Sequence, residues 1–236
     1  DGNPNQTAFI QDATGVKLSL APTDIWNVKL QAGRSRDYTD GFKNGTRGDT
    51  FNTLRSLASW QNDVTMGKDQ LLTLGLDYQD DRIGSTQRYT VNERNNKGAF
   101  AQHQGKFGSH DVLISLRRDD NEQFGTHNTG NLAWGHALSP ALRGRLSYGT
   151  AFKAPTFNQL YYPSFGSADL KPEKSRSYEA GLHGKQTWGG WDVRAYQTNV
   201  DNLIVYVGSP STAQNVDKAR IKGVEAEVGT RLAGWD

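Results

Sequence analysis

Leu132-Ala133-Trp134-Gly135-His136-Ala137-Leu138-Ser139-Pro140-Ala141-Leu142-Arg143-Gly144-Arg145-Leu146-Ser147-Tyr148 is the stretch that decides the fold. Successive side chains of a strand point to opposite faces. Leu142, Leu146 and Tyr148 therefore share one face, and Arg143, Arg145 and Ser147 the other. In the arm before the turn, Trp134 is in phase with Leu132. Between the arms, Leu138-Ser139-Pro140-Ala141 is short and turn-like. The segment reads as a hairpin with one apolar face, one charged face and a tryptophan close to its tight end.

The same alternation recurs along the chain. Trp26, Val28, Leu30 and Ala32 oppose Asn27, Lys29 and Gln31, and Leu72, Leu74, Leu76 and Tyr78 oppose Thr73, Gly75, Asp77 and Gln79. Tyr178, Ala180 and Leu182 oppose Glu179 and His183, and Val224, Ala226 and Val228 oppose Glu225 and Glu227. Short connections at Ala21-Pro22-Thr23, 138–141 and Trp188-Gly189-Gly190-Trp191 alternate with long ones at 38–50, 82–96, 152–174 and 206–217. That rhythm predicts an all-β antiparallel meander of about eleven strands, near 6–21, 24–37, 50–64, 70–81, 97–107, 110–120, 127–137, 142–151, 175–187, 191–205 and 218–231.

The aromatic residues give the meander two ends. Trp26, Trp60, Trp134, Trp188, Trp191 and Trp235 all lie near short turns, whereas Tyr38, Tyr89, Tyr161, Tyr162 and Tyr206 lie in or beside the long loops. Short turns at one end, long loops at the other and aromatic belts between are how a transmembrane β-barrel is built. Indole suits a membrane–water boundary because its ring is apolar while its N–H needs a partner. All six tryptophans are expected to face outward at the short-turn end, with Arg143, Arg145, Glu225 and Glu227 on the opposite face. The alternative is a soluble β-sandwich with core tryptophans, but charges at every second position suit a wide polar lumen better.

Composition agrees with a barrel and excludes several classes. Of the 236 residues 35% are hydrophobic and mean hydropathy is −0.73. No apolar run approaches the ~18 residues of a membrane helix, and a barrel strand needs only alternate apolar residues. The 26 glycines against 7 prolines favour turns and close strand contacts. A net charge of +2 is too small to argue for nucleic acid, and the absence of cysteine removes disulfides and thiolate zinc sites. The opening Asp1-Gly2-Asn3-Pro4 carries no initiator methionine and no signal-like region, and a turn begins at Gly234-Trp235-Asp236. The chain is expected to be the middle of a longer protein.

Catalytic signatures are not found. His103, His110, His127, His136 and His183 lack metal-ligand spacing, and no serine sits in a G-x-S-x-G elbow. Asp119, Asp120 and Glu122 are expected on a solvated loop rim rather than around a cation. Arg47-Gly48-Asp49 and Asn44-Gly45-Thr46 match short adhesion and glycosylation patterns that arise often by chance. The 152–174 loop has the most binding character. Asn158, Gln159, Tyr161, Tyr162 and Phe165 are the candidate ligand-binding residues, because flat aromatic faces and amides hold a large, partly polar ligand with little entropy loss. Packing of the loop against its neighbours explains the same aromatics equally well.

Three stretches carry a family likeness. Tyr148 to Pro163 (YGTAFKAPTFNQLYYP), Leu170 to Leu182 (LKPEKSRSYEAGL) and Asn215 to Val228 (NVDKARIKGVEAEV) resemble, in order and spacing, strand-to-loop passages of TonB-dependent outer-membrane receptors. With Arg117 to His127 (RRDDNEQFGTH), the likeness is greatest to the cobalamin (vitamin B12) transporting branch. On the residues themselves, Phe152-Lys153-Ala154-Pro155 ends a strand, since Pro155 removes a ladder donor. Lys171-Pro172-Glu173-Lys174 is expected to keep its charges solvated just before the next strand.

The resemblance implies a barrel of twenty-two strands in a bacterial outer membrane, preceded by a plug and a TonB-contacting box. Residues 1–236 then form a partial barrel domain, roughly its central half, without the plug or the final strands. The family's calcium-binding aspartates fall mostly upstream of Asp1, so no calcium ligand or other cofactor is assigned. The implied function is non-enzymatic: uptake of cobalamin with TonB-supplied energy, with lipid, TonB and the nutrient as partners. A siderophore or haem receptor is the nearest alternative. A passive porin-like channel and an outer-membrane barrel enzyme are the alternatives of another class.

Overall fold

The computed structural model describes residues 5–230. It holds β1 (Asn5–Thr23), β2 (Trp26–Lys43), β3 (Thr46–Thr65), β4 (Gln70–Ser85), β5 (Glu93–Phe107) and β6 (His110–Asn121). These are followed by β7 (Gly125–Ser139), β8 (Leu142–Lys153), the short helix α1 (Phe157–Tyr161), β9 (Glu173–Gln186), β10 (Gly189–Val207) and β11 (Thr212–Thr230). The eleven strands form one sheet in sequence order, and every neighbouring pair is antiparallel. The expected meander is the fold.

Cross-strand register shows why the sheet has two characters. The rows Leu18–Leu30–Trp60–Leu76–Ala99 and Trp134–Leu146–Ala180–Ala195–Val224 run through paired residues, so these side chains share one face. That apolar face is uncovered: Val16, Leu116, Val224 and Val228 are 66–72% exposed. A sandwich would bury them under a second sheet, so the single layer removes that alternative among the described residues. Farther from the short turns the same face becomes polar, at Arg34, Ser56, Asp80 and Asn95.

The opposite face carries the charges. Arg143, Arg145, Glu225 and Glu227 all lie on it, as the alternation requires. It is laced by ion pairs: Lys29 with Asp63 at 2.7 Å and Arg55 with Asp81 at 2.6 Å between neighbouring strands, Arg117 with Asp119 at 2.8 Å along β6, and Arg117 with Asp77 at 2.5 Å and Arg145 with Asp192 at 2.6 Å over an intervening strand. Opposite charges on directly or diagonally facing strand positions attract, which helps fix the register of a face that has no apolar core.

Five tryptophans fall where the girdle argument puts them. Trp26, Trp60, Trp134 and Trp191 stand at the short-turn end in phase with the apolar face, and Trp188 lies in the turn between β9 and β10. The Trp26 indole N–H donates to Asn62 Oδ1 at 3.1 Å, and that of Trp134 to His110 Nδ1 at 3.2 Å. Trp235 and its turn lie outside the described residues. A Cβ on Gly184 would come within 2.2 Å of the Trp191 ring, so glycine is what lets that indole lie across β9.

Three boundary expectations are corrected. The 38–50 segment is not a long loop: β2 and β3 continue to Lys43 and Thr46 and close on Asn44-Gly45, whose φ angles are +52° and +75°. Two successive positive φ values are those of a type I′ hairpin turn, for which Asn-Gly is the favoured pair. Likewise 206–217 shrinks to a turn over 208–211. Polar side chains do not stop a ladder whose two faces both meet water, because pairing still satisfies the backbone. At the other end, the first short turn is Asp24-Ile25 rather than Ala21–Thr23, and Pro22, lacking an N–H, sits in a register irregularity between Leu20 and Thr23.

Candidate functional site

Two of the predicted long connections remain true loops, over 86–92 and 154–172, and both belong to the end away from the short turns. The larger one folds back over the charged face. Leu160 and Leu170 from the loop, with Ile204 of β10 and Ala213 of β11, form a buried cluster against which Phe124 and Tyr161 pack. Among the described residues the buried apolar groups therefore concentrate at the mouth of the charged face, rather than in a layer between sheets.

The three stretches that carry the family likeness fasten this loop. Lys153 at the end of β8 donates to Glu173 Oε2 at 2.9 Å, and Glu173 Oε1 accepts the Ile204 N–H at 2.8 Å. Glu173 is only 9% exposed, which corrects the expectation that its charge stays solvated: it is needed inside, where a backbone donor and an ammonium converge. The Asn215 side chain accepts from the Lys171 N–H at 2.8 Å and donates to Lys171 O at 2.9 Å and Asn202 O at 2.7 Å. On the far side, Arg94 donates to the carbonyl of the buried Pro155 at 3.0 Å, with its guanidinium 5.0 Å from the Phe157 ring centroid.

The five candidate residues are all half-buried and meet different partners. Asn158 Oδ1 accepts from the Tyr89 hydroxyl at 2.6 Å, and burial pushes that phenol up to about 12. Gln159 closes a capping box with Thr156, its Oε1 accepting the Thr156 N–H at 2.9 Å. The Tyr161 hydroxyl accepts from the Gln123 amide. Tyr162 stacks on Phe165 at 4.3 Å between centroids. The polar atoms of Asn158, Gln159 and Tyr161 are thus engaged in holding the loop, whereas Tyr162 and Phe165 meet ring to ring.

Those two rings belong to a longer row that sequence reasoning did not assemble. Phe51 lies 6.2 Å from Tyr89, Tyr89 6.2 Å from Tyr162, and Phe165 5.5 Å from Tyr206. Strands β3 and β10 and the 86–92 and 154–172 loops contribute to it, and only the positions of Tyr89 and Tyr206 in or beside polar stretches of the sequence hinted at them. Beneath α1 lies a 280 Å³ cavity lined by Asp37, Thr53, Arg55, Asp81, Arg94 and Phe157 on the charged face. Its lining mixes hydroxyl, carboxylate, guanidinium and aromatic groups, and the Thr53 hydroxyl donates to Asp37 Oδ2 at 3.3 Å.

The carboxylate trio Asp119, Asp120 and Glu122 separates rather than forming a solvated rim. Asp119 is buried on the charged face and held by Arg117 and Asn96, Glu122 accepts from the Asn95 N–H at 2.8 Å, and Asp120 is exposed. Alternation sends neighbouring residues to opposite faces, so three close carboxylates cannot converge from one strand. Among the described residues no three His, Asp or Glu side chains are placed to hold a metal ion.

The whole chain, residues 1–236, matches the family model described as TonB dependent receptor-like, beta-barrel. It belongs to the TonB-dependent receptor β-barrel family. The vitamin B12 transporter BtuB of Photobacterium profundum is 31% identical over 239 residues, covering 92% of this chain and 39% of that protein. The vitamin B12 transporter BtuB of Vibrio vulnificus is 33% identical over 214 residues, covering 86% and 35%. The chain thus spans a little over a third of the length of these relatives. In fold it is similar to the ferric enterobactin receptor PfeA of Pseudomonas aeruginosa, with a TM-score of 0.80 at 16% identity over 94% of this chain and 41% of that one. It is also similar to the siderophore receptor PirA of Acinetobacter baumannii, with a TM-score of 0.77 at 18% identity over 96% and 43%.

Proposed function

We propose that this chain is part of the barrel of an outer-membrane receptor that takes up cobalamin with energy supplied through TonB. The observation that carries the reading is the 31–33% identity to vitamin B12 transporters over 86–92% of the chain. The further length of those relatives leaves room for a plug and more strands. In this reading the uncovered apolar face meets the hydrocarbon of the membrane, where a closed sheet satisfies every backbone group. The charged face lines the lumen, and the clamped 154–172 loop stands over it on the outside.

Recognition falls to the ring faces of Tyr162 and Phe165, extended by Tyr89 and Tyr206. Asn158, Gln159 and Tyr161 hold the loop in the shape that presents them. A rigid aromatic wall costs little side-chain entropy on binding, so it suits capture of a scarce, large nutrient. No bond is made or broken at this wall.

The test is titration of the complete protein with cobalamin, beside a Tyr162→Ala/Phe165→Ala variant. Tight binding by the parent and about a ten-fold weaker affinity in the variant are expected, as for loss of aromatic anchors. Unchanged affinity in the variant removes this loop from the site. No cobalamin binding by the parent, with tight binding of a ferric siderophore, replaces the substrate.

A further inference from the structure

The apolar face is not uniform where it turns polar. On β9, β10 and β11 the register aligns Lys174 with Asp201 and Lys218, Arg176 with Asn199 and Arg220, and Tyr178 with Gln197 and Lys222. Lys174, Arg176, Lys218, Arg220 and Lys222 all lie on this outward side. Strands lie about 4.8 Å apart and alternate residues about 6.6 Å apart, so the five cations occupy a patch on the order of 10 by 13 Å. One carboxylate, Asp201, faces them there, bonded to Arg176 at 2.8 Å. Elsewhere on the same border cations and carboxylates are matched: Arg82 meets Asp80 at 2.8 Å, and Lys97 is paired in register with Asp120. Five positive groups against one negative is the exception.

A second feature adjoins the patch. A concavity of 890 Å³ lies against the apolar face just on the short-turn side of these cations. Its floor includes Ala180 and Ala195, its walls include Leu146, Tyr148 and Tyr178, and Lys222 stands on its rim. Small residues between aromatic ones leave a groove with the width and chemistry of hydrocarbon chains. Cations at its upper edge supply the place for anionic headgroup oxygens.

We propose that β9–β11 form a specific site for a membrane lipid with more than one phosphate on its headgroup, its acyl chains lying in the Ala180–Ala195 groove. A surplus of four charges suits such a headgroup better than a single phosphodiester or a zwitterion. Arg176 and Arg220 present planar donor forks to phosphate, and the lysines add compact charge. The inference rests on the outer-membrane placement proposed above, but it does not depend on which nutrient is carried.

The experiment is native mass spectrometry of the complete protein in detergent, with bis-phosphorylated lipid A or phosphatidylethanolamine added. The wild type should retain lipid A, and excess inorganic phosphate should not displace it, because the acyl groove contributes. Lys218→Gln/Arg220→Gln/Lys222→Gln should lower retention on the order of a hundred-fold, since each basic residue near an anionic lipid surface contributes roughly five-fold. Ala195→Phe, which fills the groove without altering charge, should also weaken it. An Arg34→Gln/Arg36→Gln variant on the distant β2 border should retain lipid A like the wild type. Heat-modified gel mobility reports folding, and if the triple variant fails it, the single Lys218→Gln and Lys222→Gln variants give the same reading in smaller steps. Equal retention of the two lipids, or retention unchanged by the β11 substitutions, overturns the proposal. Cobalamin titration on the same samples keeps this outcome separate from failure of the nutrient reading.

Discussion

The tip of the β2–β3 hairpin and the β8–β9 connection look alike as sequence, since both are polar stretches between amphipathic strands, yet they are held in opposite ways. The first is ladder almost to its end, and its backbone partners itself until Asn44-Gly45 turns the chain. The second has no ladder over 154–172: turn bonds such as Ser167 N–H to Gln159 O shape it, and side chains tie it to its surroundings, Glu173 through the Ile204 N–H, Asn215 through Lys171 and Arg94 through Pro155. A ladder tolerates almost any exposed side chain, whereas a clamped loop depends on a few named ones. The difference predicts where substitutions are felt and how far their effects travel.

Removing the central clamp should have the largest effect. Glu173→Ala strands the buried Ile204 N–H while the exposed Lys153 ammonium returns to water, a loss of about 2 kcal/mol for a buried donor left without its acceptor. Hydrogen exchange should accelerate at Ile204 and through 154–172 while the β2–β3 tip stays unchanged. Equal protection in variant and parent would mean the loop is held by its apolar cluster alone. At the hairpin tip the effect should be smaller and confined. Gly45→Val forces a β-branched residue into a φ of +75°, costing about 1–2 kcal/mol. Exchange should quicken only near Lys43 and Thr46, and spread to the 154–172 loop would erase the contrast.

The smallest effect concerns charge at that tip. The Arg47 guanidinium, hydrogen-bonded to Asp40 at 2.8 Å, holds the Asp40 carboxyl below its ordinary 3.8. Because the folded value is the lower one, the contribution of this pair is present above about pH 3.8 and is lost as pH falls through the depressed value. NMR titration should place Asp40 below an ordinary aspartate, and Arg47→Gln should return it upward. An Asp40 that titrates normally in the parent would show the contact to be transient.

How much of this is legible in the sequence follows the same divide. Alternation at Leu72–Tyr78 and Leu142–Tyr148, with tryptophans at the tight ends, specifies the meander and its two faces, because strand period is a local property of the chain. The Asn44-Gly45 pair is equally local, a hairpin signal outweighed by the polarity of its neighbours. Loop 154–172 stands out by its aromatics, but the division of labour within it does not. That Asn158 answers Tyr89, and Tyr161 answers Gln123, is set by contacts 69 and 38 residues apart in the chain. The reversal at Glu173 has the same origin: its burial is created by β10, which follows later in the sequence.

The segregation of tryptophan from tyrosine also gives the molecule a built-in optical depth gauge. Indole emission from the described residues arises in the short-turn half of the apolar face, and Tyr78 and Tyr148 stand one alternate position farther from the turns than Leu76 and Leu146, the register partners of Trp60 and Trp134. Quenchers carried at defined depths in a bilayer should therefore extinguish tryptophan light most strongly on the short-turn side. Tyr148 is a diagonal neighbour of Trp134 across the β7–β8 ladder, so tyrosine-to-tryptophan energy transfer should report that this ladder is intact in a native chain, with no label attached.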